Sequence, residues 1–367
     1  MGCGTVLARG QEAFFAWAQR KETAVTGLNA KHRQVGIYLR TRTTLVFLLL
    51  VALLLAAFAI GLVHGSTKMA LSTVWHAMLH PAGGISSVIV WQIRFPRLVA
   101  AALVGAGLAV SGAVMQALLQ NPLADPYVVG ASSGAGLGAV VAETFVPGMA
   151  LVAPAAFLGA LAAVFLAWML ARARSRSPML TLLLAGYALS VLFSAISTYL
   201  MLQNQRSLTT IFAWELGGIH GITWSAVGVA ACIMAASALM LIPYLKTMNA
   251  LLLGDDVAHG VGVAVRRSQF VLLLSASLFT AAAVYLSGLI GFVGLVIPHL
   301  VRRLSGPEHE RVIPFSFLVG ATFMVLADTV AERLPPLGTV PIGLITAFIG
   351  GPYFLYVLAR PGGRRFF

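Results

Sequence analysis

LVFLLLVALLLAAFAIGLV, residues 45–63, carries no charged side chain. At ~1.5 Å per residue, such a helix is about as long as the ~30 Å hydrocarbon core of a bilayer is thick. Further apolar stretches follow at 97–119, 127–146, 150–171, 178–202, 224–244, 268–287, 289–303, 313–331 and 341–358. A chain that repeats this ten times is built around lipid. The fold class expected is all-α, a polytopic membrane protein with ten transmembrane helices. The helical domain covers 45–360. Residues 1–44 read as a polar, partly helical cytoplasmic extension, and 361–367 as a short basic cytoplasmic tail.

Composition agrees. The chain is 59% hydrophobic and 10% charged, with mean hydropathy +0.92; a soluble domain carries roughly 25% charged residues. The net charge of +13 would suit nucleic acid, but its placement points elsewhere. With the N-terminus in the cytoplasm, all but Lys68, Arg94, Arg97, Arg206 and Arg333 of the 24 basic residues fall on the inner side. That bias is the positive-inside rule, and it puts both termini in the cytoplasm after an even number of crossings. Basic inner loops then serve orientation and anionic lipid, and no nucleic-acid partner is expected. Cys3 and Cys232 suggest neither a disulfide framework nor a metal cluster, and no apolar core of signal-peptide length precedes Leu45.

Small residues cluster within spans: Gly105, Gly107, Ser111 and Gly112 in the second, and Gly130 to Gly138 in the third. Lipid provides little hydrophobic drive for helix association, so close backbone approach supplies it. The glycine run follows no strand, which argues against a phosphate loop. Asn121-Pro122 and Asp125-Pro126 bracket a tight inner turn. Pro298 lies inside span eight, where a kink or break is expected. The small-residue helix leading to a proline-marked inner turn at 120–126 is echoed near 298–307, a faint internal repeat.

The chemistry is sparse. Glu143 and Asp328 fall in the outer portions of their spans and Glu215 lies between spans, so no carboxylate is placed at the midplane, where an ion-coupled carrier needs one. His64, His76, His80 and His220 are scattered over the outer side without metal-ligand spacing. No nucleophile elbow and no Gly-Lys dipeptide occur. ATP-driven transport would therefore need the nucleotide, with its Mg, on another polypeptide; no cofactor is expected on this chain. A landing site for such a partner is NALLLGDDVAHGVGV, 249–263. There Leu251, Leu252, Val257 and Val261 share one side of a short amphipathic pattern, and Asp255 and Asp256 suit a helix N-terminus. On the outer side, Arg94-Phe95-Pro96-Arg97 reads either as two arginines snorkelling toward headgroups or as a dock for an acidic partner.

Two long blocks, RFPRLVAAALVGAGLAVSGAVMQALLQNPLADPYVVGASSGAG (94–136) and YLSGLIGFVGLVIPHLVRRLSGPEHE (285–310), carry a family resemblance. ALLLGDDVAHGVGV (250–263), LADTVAER (326–333) and PIGLITAFIGGPYFLYVL (341–358) add to it. The chain resembles the permease subunits of ABC importers for ferric siderophores, haem and cobalamin, over roughly residues 45–360. The resemblance implies a homodimer in the bacterial inner membrane, two ATPase subunits beneath it and a periplasmic substrate-binding protein above. It implies docking of that protein on Arg94 and Arg97. It implies ATPase coupling through Leu252, Leu253, Gly254, Asp255, Asp256, Val257, Ala258, Gly260, Val261 and Gly262. A cytoplasmic gate would hold Asn121 and Leu123, with Met179 and Leu180 where family members often carry small hydroxyl residues. The fifth and tenth spans would line the path, through Tyr187, Ser190, Ser194, Thr198 and Met201. After ADTVA, Arg333 is displaced by one position from the family pattern, and TVPIG lacks the family's glutamate. The function expected is import of an iron chelate, siderophore or haem, with cobalamin as the alternative cargo and a proton-coupled carrier as the alternative class.

Overall fold

The computed structural model describes residues 43–65, 69–81, 83–146, 149–172, 178–204, 208–334 and 340–359. The extension up to residue 42 and the tail from 360 lie outside the described residues. The chain divides into two units, 1–51 and 52–367; of the first, only the opening turns of helix α1 (Thr43–Val63) are described.

All regular structure among the described residues is helical. After α1 come α2 (Leu71–Leu79), α3 (Ile85–Leu118), α4 (Ala131–Phe145), α5 (Met149–Arg172), α6 (Pro178–Gln203), α7 (Leu208–Glu215), α8 (Trp224–Leu241), α9 (Leu245–Leu251), α10 (Asp255–Gly260), α11 (Val265–Ser287), α12 (Val293–Ser305), α13 (His309–Ala331) and α14 (Ile342–Ala359). Among the described residues, seven segments are long and apolar enough to cross a bilayer: α1, α3, α5, α6, α8 with α9, α11 and α13. One shorter apolar helix lies within α14, and with the short helices α4 and α12 the described architecture is compatible with the ten helices expected.

Helix α3 is the core of the bundle, with 83% of its apolar window buried. Small residues make this possible. A Cβ on Gly105 would sit 2.0 Å from the Gly320 carbonyl oxygen, and one on Gly112 would sit 1.9 Å from that of Gly294. Only hydrogen fits, so α3 lies backbone to backbone against α13 and α12. Buried hydroxyls add cross-helix bonds: Ser111 donates to the Ala276 carbonyl at 2.8 Å and Ser237 to that of Ser275 at 2.8 Å. At the other extreme, only 11% of the apolar window of α6 is buried.

Helices α4 and α12, of 15 and 13 residues, are about 20 Å long and cannot cross the core unaided. The irregular backbone preceding each meets the other: Tyr127 Oη accepts the Ile290 N–H at 3.4 Å, and Pro126 packs on Gly294. Irregular backbone at membrane depth is tolerated where protein satisfies it. The break expected at Pro298 instead falls at Gly288–Phe292, where Gly288 and Phe292 have φ of 68° and 69°. α12 continues through Pro298. The proline cannot donate to the Gly294 carbonyl one turn earlier; Gln116 Nε2 donates there instead, at 3.2 Å.

Candidate functional site

Arg94 and Arg97 lie at one end of the bundle, which we call the Arg97 end. Pro96 shapes the local helix. A π-helical turn spans Ile89–Arg94, closed by the Phe95 N–H on the Val90 carbonyl. In that register Pro96 would have to donate to Trp91 and has no hydrogen to give. The Trp224 indole fills the place, donating to the Trp91 carbonyl at 2.8 Å, and its ring packs on Phe95.

The two arginines do come together, in an internal network. Arg94 is buried, and its Nη1 donates to the Leu62 carbonyl. Arg97 grips Asp328 bidentately, through Nε at 3.0 Å and Nη2 at 2.8 Å. Its remaining Nη1 reaches Glu332 at 2.6 Å. Asp328 is 1% exposed, Glu332 12% and Arg97 16%. Two arginines and two carboxylates leave this cluster with no net charge. Burial pushes the Glu332 carboxyl up, with Arg97 pulling the other way. Burial pushes the His220 imidazole down, helped by Arg97 and opposed by Glu332. Asp328 and Glu332 are ion-pair partners of Arg97 that reading the sequence missed. The available signal was their spacing: the four-residue step on α13 continues one face, as the three-residue step from Arg94 to Arg97 does on α3.

The opposite, Asp255 end holds the residues expected to form the gate and the coupling segment. Asn121 Oδ1 accepts the Leu123 N–H at 3.0 Å, making a tight side-chain turn. Gln120 precedes it at φ 48°. Gln120 Nε2 donates to the Leu251 carbonyl at 2.9 Å, and Asp255 Oδ2 accepts from Gln269 at 3.0 Å. The gate turn is thus tied directly to the 250–263 segment through a residue not singled out from the sequence. Asn249 ties the same segment to the start of α13, donating to Glu310 at 2.7 Å and accepting the His309 N–H at 3.0 Å. Met179 and Leu180 occupy the first turn of α6, and Leu180 is exposed.

Within 250–263, Gly254 and Gly262 adopt φ of 104° and 87° and bracket helix α10, with Asp255 and Asp256 in its first turn as expected. The apolar pattern needs one correction. Leu251 is buried at 1% exposure, because it anchors the segment inward along with Met248 and Ala258. The outward apolar side chains are Leu252, Leu253, Val257 and Val261, with Leu253 70% exposed. Exposed apolar side chains at such an end are open to a protein or membrane surface. Gly260 and Gly262 stand in open space beside them.

On α6, Tyr187, Ser194 and Thr198 are exposed and Met201 is half-buried. Thr198 donates to the Ser194 carbonyl at 2.9 Å. Ser190 sits at the edge of this face: it donates to the Gly186 carbonyl at 2.8 Å and accepts from Ser133 of α4 at 3.1 Å. Of the histidines, His76 and His80 stack with ring centroids 4.4 Å apart. Among the described residues, no group of three or more His, Cys, Asp or Glu side chains could hold a metal ion.

Residues 53–360 match the FecCD transport family. The chain is 45% identical over 275 residues to the cobalamin import system permease protein of Halobacterium salinarum, covering 74% of each chain. It is 36% identical over 332 residues to the hemin transport system permease protein of Yersinia pestis, covering 88% of this chain and 97% of that one. Against the Fe(3+) dicitrate transport system permease of Escherichia coli the identity is 36% over 290 residues, 78% of this chain and 90% of the relative. A solved structure described as an inward-facing conformation of a metal-chelate type ABC transporter superposes with a TM-score of 0.76 at 31% identity. That match covers 85% of this chain and 98% of the other.

Proposed function

We propose that this chain, which belongs to the FecCD transport family and is the membrane permease subunit of an ABC transporter, moves an organic metal chelate into the cytoplasm. ATP hydrolysis belongs to a separate subunit, so the chain is not itself an enzyme. The family match over 53–360 carries this reading. Ferric siderophore or haem is the cargo proposed, in keeping with the hemin and dicitrate permeases among its relatives. Cobalamin is the second reading, favoured by the 45% identity to a cobalamin permease.

The working unit is a homodimer in a bacterial inner membrane, with both termini cytoplasmic; the lopsided placement of basic residues supports that orientation. Two copies of α6, so little covered within one subunit, would flank the path. A loaded extracytoplasmic binding protein docks at the Arg97 end through its own carboxylates. Glu332 already holds Arg97 Nη1, so an incoming carboxylate must displace it or share the guanidinium. On the other side, two ATPase subunits seat on Leu252, Leu253, Val257 and Val261. Their closure on ATP moves the 250–263 segment, and Gln120 passes the movement to Asn121 and Leu123 at the inner gate. Cargo moves by alternating access, without an ion gradient.

The test is uptake into liposomes that hold this chain, its ATPase and its binding protein. Ferric siderophore, haemin and cyanocobalamin are offered separately. ATP-dependent accumulation of one of them is expected. Accumulation that continues with a hydrolysis-dead ATPase rules out the reading, and the compound accumulated decides between the two cargo classes.

A further inference from the structure

A cavity of about 340 Å³ opens on the side of the bundle between α5 and α11, lined by Leu161, Phe165, Trp168, Phe270, Leu273 and Ser277 among others. Its one hydroxyl is spoken for, since Ser277 donates to the Leu273 carbonyl at 2.7 Å. Apart from the Trp168 indole N–H, the rest of the lining is apolar. From Leu161 to Trp168 the groove runs about 10 Å along the helix axis, too short and narrow to seat another helix, itself about 10 Å across. A hydrocarbon chain fits those dimensions.

One end of the groove is chemically distinct. Trp168 stacks against Phe270 with centroids 4.7 Å apart and leans on Phe165 at 6.2 Å. The Arg172 guanidinium lies over the Trp168 ring, 4.5 Å from its centroid. Arg266 and Arg267, both exposed, stand one turn before Phe270 on α11. The groove thus leads from an apolar trough, past an aromatic rim, to three arginines at the end of the bundle that carries Asp255. Tryptophan favours the depth of the headgroups, and basic pockets between spans on the cytoplasmic side attract anionic lipid heads.

We propose that this groove is a binding site for an anionic phospholipid of the cytoplasmic leaflet. One acyl chain lies between α5 and α11, and the phosphate is held by Arg172 with Arg266 and Arg267.

The transporter, this chain with its ATPase, is placed in phosphatidylcholine nanodiscs doped with either brominated phosphatidylglycerol or brominated phosphatidylcholine. Bromine on the chain quenches tryptophans it touches. Subtracting the signal of Trp168→Phe isolates the groove from the other tryptophans. Trp168 should be quenched by the phosphatidylglycerol with about tenfold apparent preference over the phosphatidylcholine. The double variant Arg172→Gln with Arg266→Gln should retain quenching but lose the preference. Equal quenching by both lipids in the unaltered chain overturns the anionic selectivity, as does a preference that survives in the double variant. A Trp168 that neither lipid quenches shows a groove filled by something other than lipid.

Discussion

The two ends of this molecule treat their functional side chains in opposite ways. At the Arg97 end, charges turn inward: Arg97 pairs with Asp328 and Glu332 across α3 and α13, and Arg94 is buried against the Leu62 carbonyl. At the Asp255 end, apolar side chains turn outward: Leu253, just before Gly254, and Val257 and Val261, between Gly254 and Gly262, stand exposed. A surface that shows hydrophobic groups to water suits a lasting partner, because burying them removes apolar area from water. A surface that hides its charges suits a transient partner, which must compete for each guanidinium hydrogen and can leave again. An importer that keeps its ATPase and exchanges its binding protein needs that asymmetry.

The contrast can be broken at its strongest point first. Asp328→Asn leaves Arg97 buried with half its pairing gone. Removing one partner from a buried pair costs ~3–5 kcal/mol, so the thermal midpoint of the purified permease should fall steeply. A small change would place Arg97 in water and dissolve the contrast. At the other end, Leu253→Asp with Val257→Asp should leave that midpoint nearly unchanged, because both side chains are exposed. Co-purification of the ATPase should weaken by ~2 kcal/mol or more, the scale of an interface hot spot. Retention of the ATPase would mean the patch faces something else.

Glu332→Gln sharpens the comparison more gently. With its internal competitor neutralised, Arg97 should bind the binding protein about tenfold more tightly, ~1.4 kcal/mol, with a steeper dependence on salt. Unchanged or weaker binding would make Glu332 a support of the dock and not its rival. This substitution is cleaner than reversing Arg97, which would set three acidic groups together in a buried site. The smallest effect is on pH. The Glu332 carboxyl is pushed up in the folded chain, so folding takes up a proton there. That contribution is complete below the ordinary glutamate range and is lost as pH rises through the folded-state value. Thermal midpoints of the wild-type chain should therefore decline as pH rises from the ordinary glutamate range to the folded-state value, a decline that Glu332→Gln removes.

Much of this was legible from residue types. The ten apolar stretches, the small-residue stripes and the glycine-bracketed 250–263 segment all follow from rules that act locally or along one helix. Boundaries moved where tertiary packing intervened. The second span begins at Ile85, because a π turn and the Trp224 indole satisfy the backbone around Pro96. Span eight is whole through Pro298, because Gln116 from another helix supplies the missing donor. Leu251 turned inward against the pattern because the chain bends at Gly254, which resets the helical face between α9 and α10.

By itself the sequence determined that this protein lives in lipid and which family it resembles. Those follow from the cost of unsatisfied backbone in hydrocarbon and from motifs contiguous in the chain. Only the tertiary structure decided that Arg97 is already paired, and that Gln120 joins the Asn121 turn to the 250–263 segment. Arg97 and Asp328 lie 231 positions apart, and Gln120 and Leu251 lie 131 apart. No local periodicity reports a contact that the packing of helices alone brings within hydrogen-bond reach.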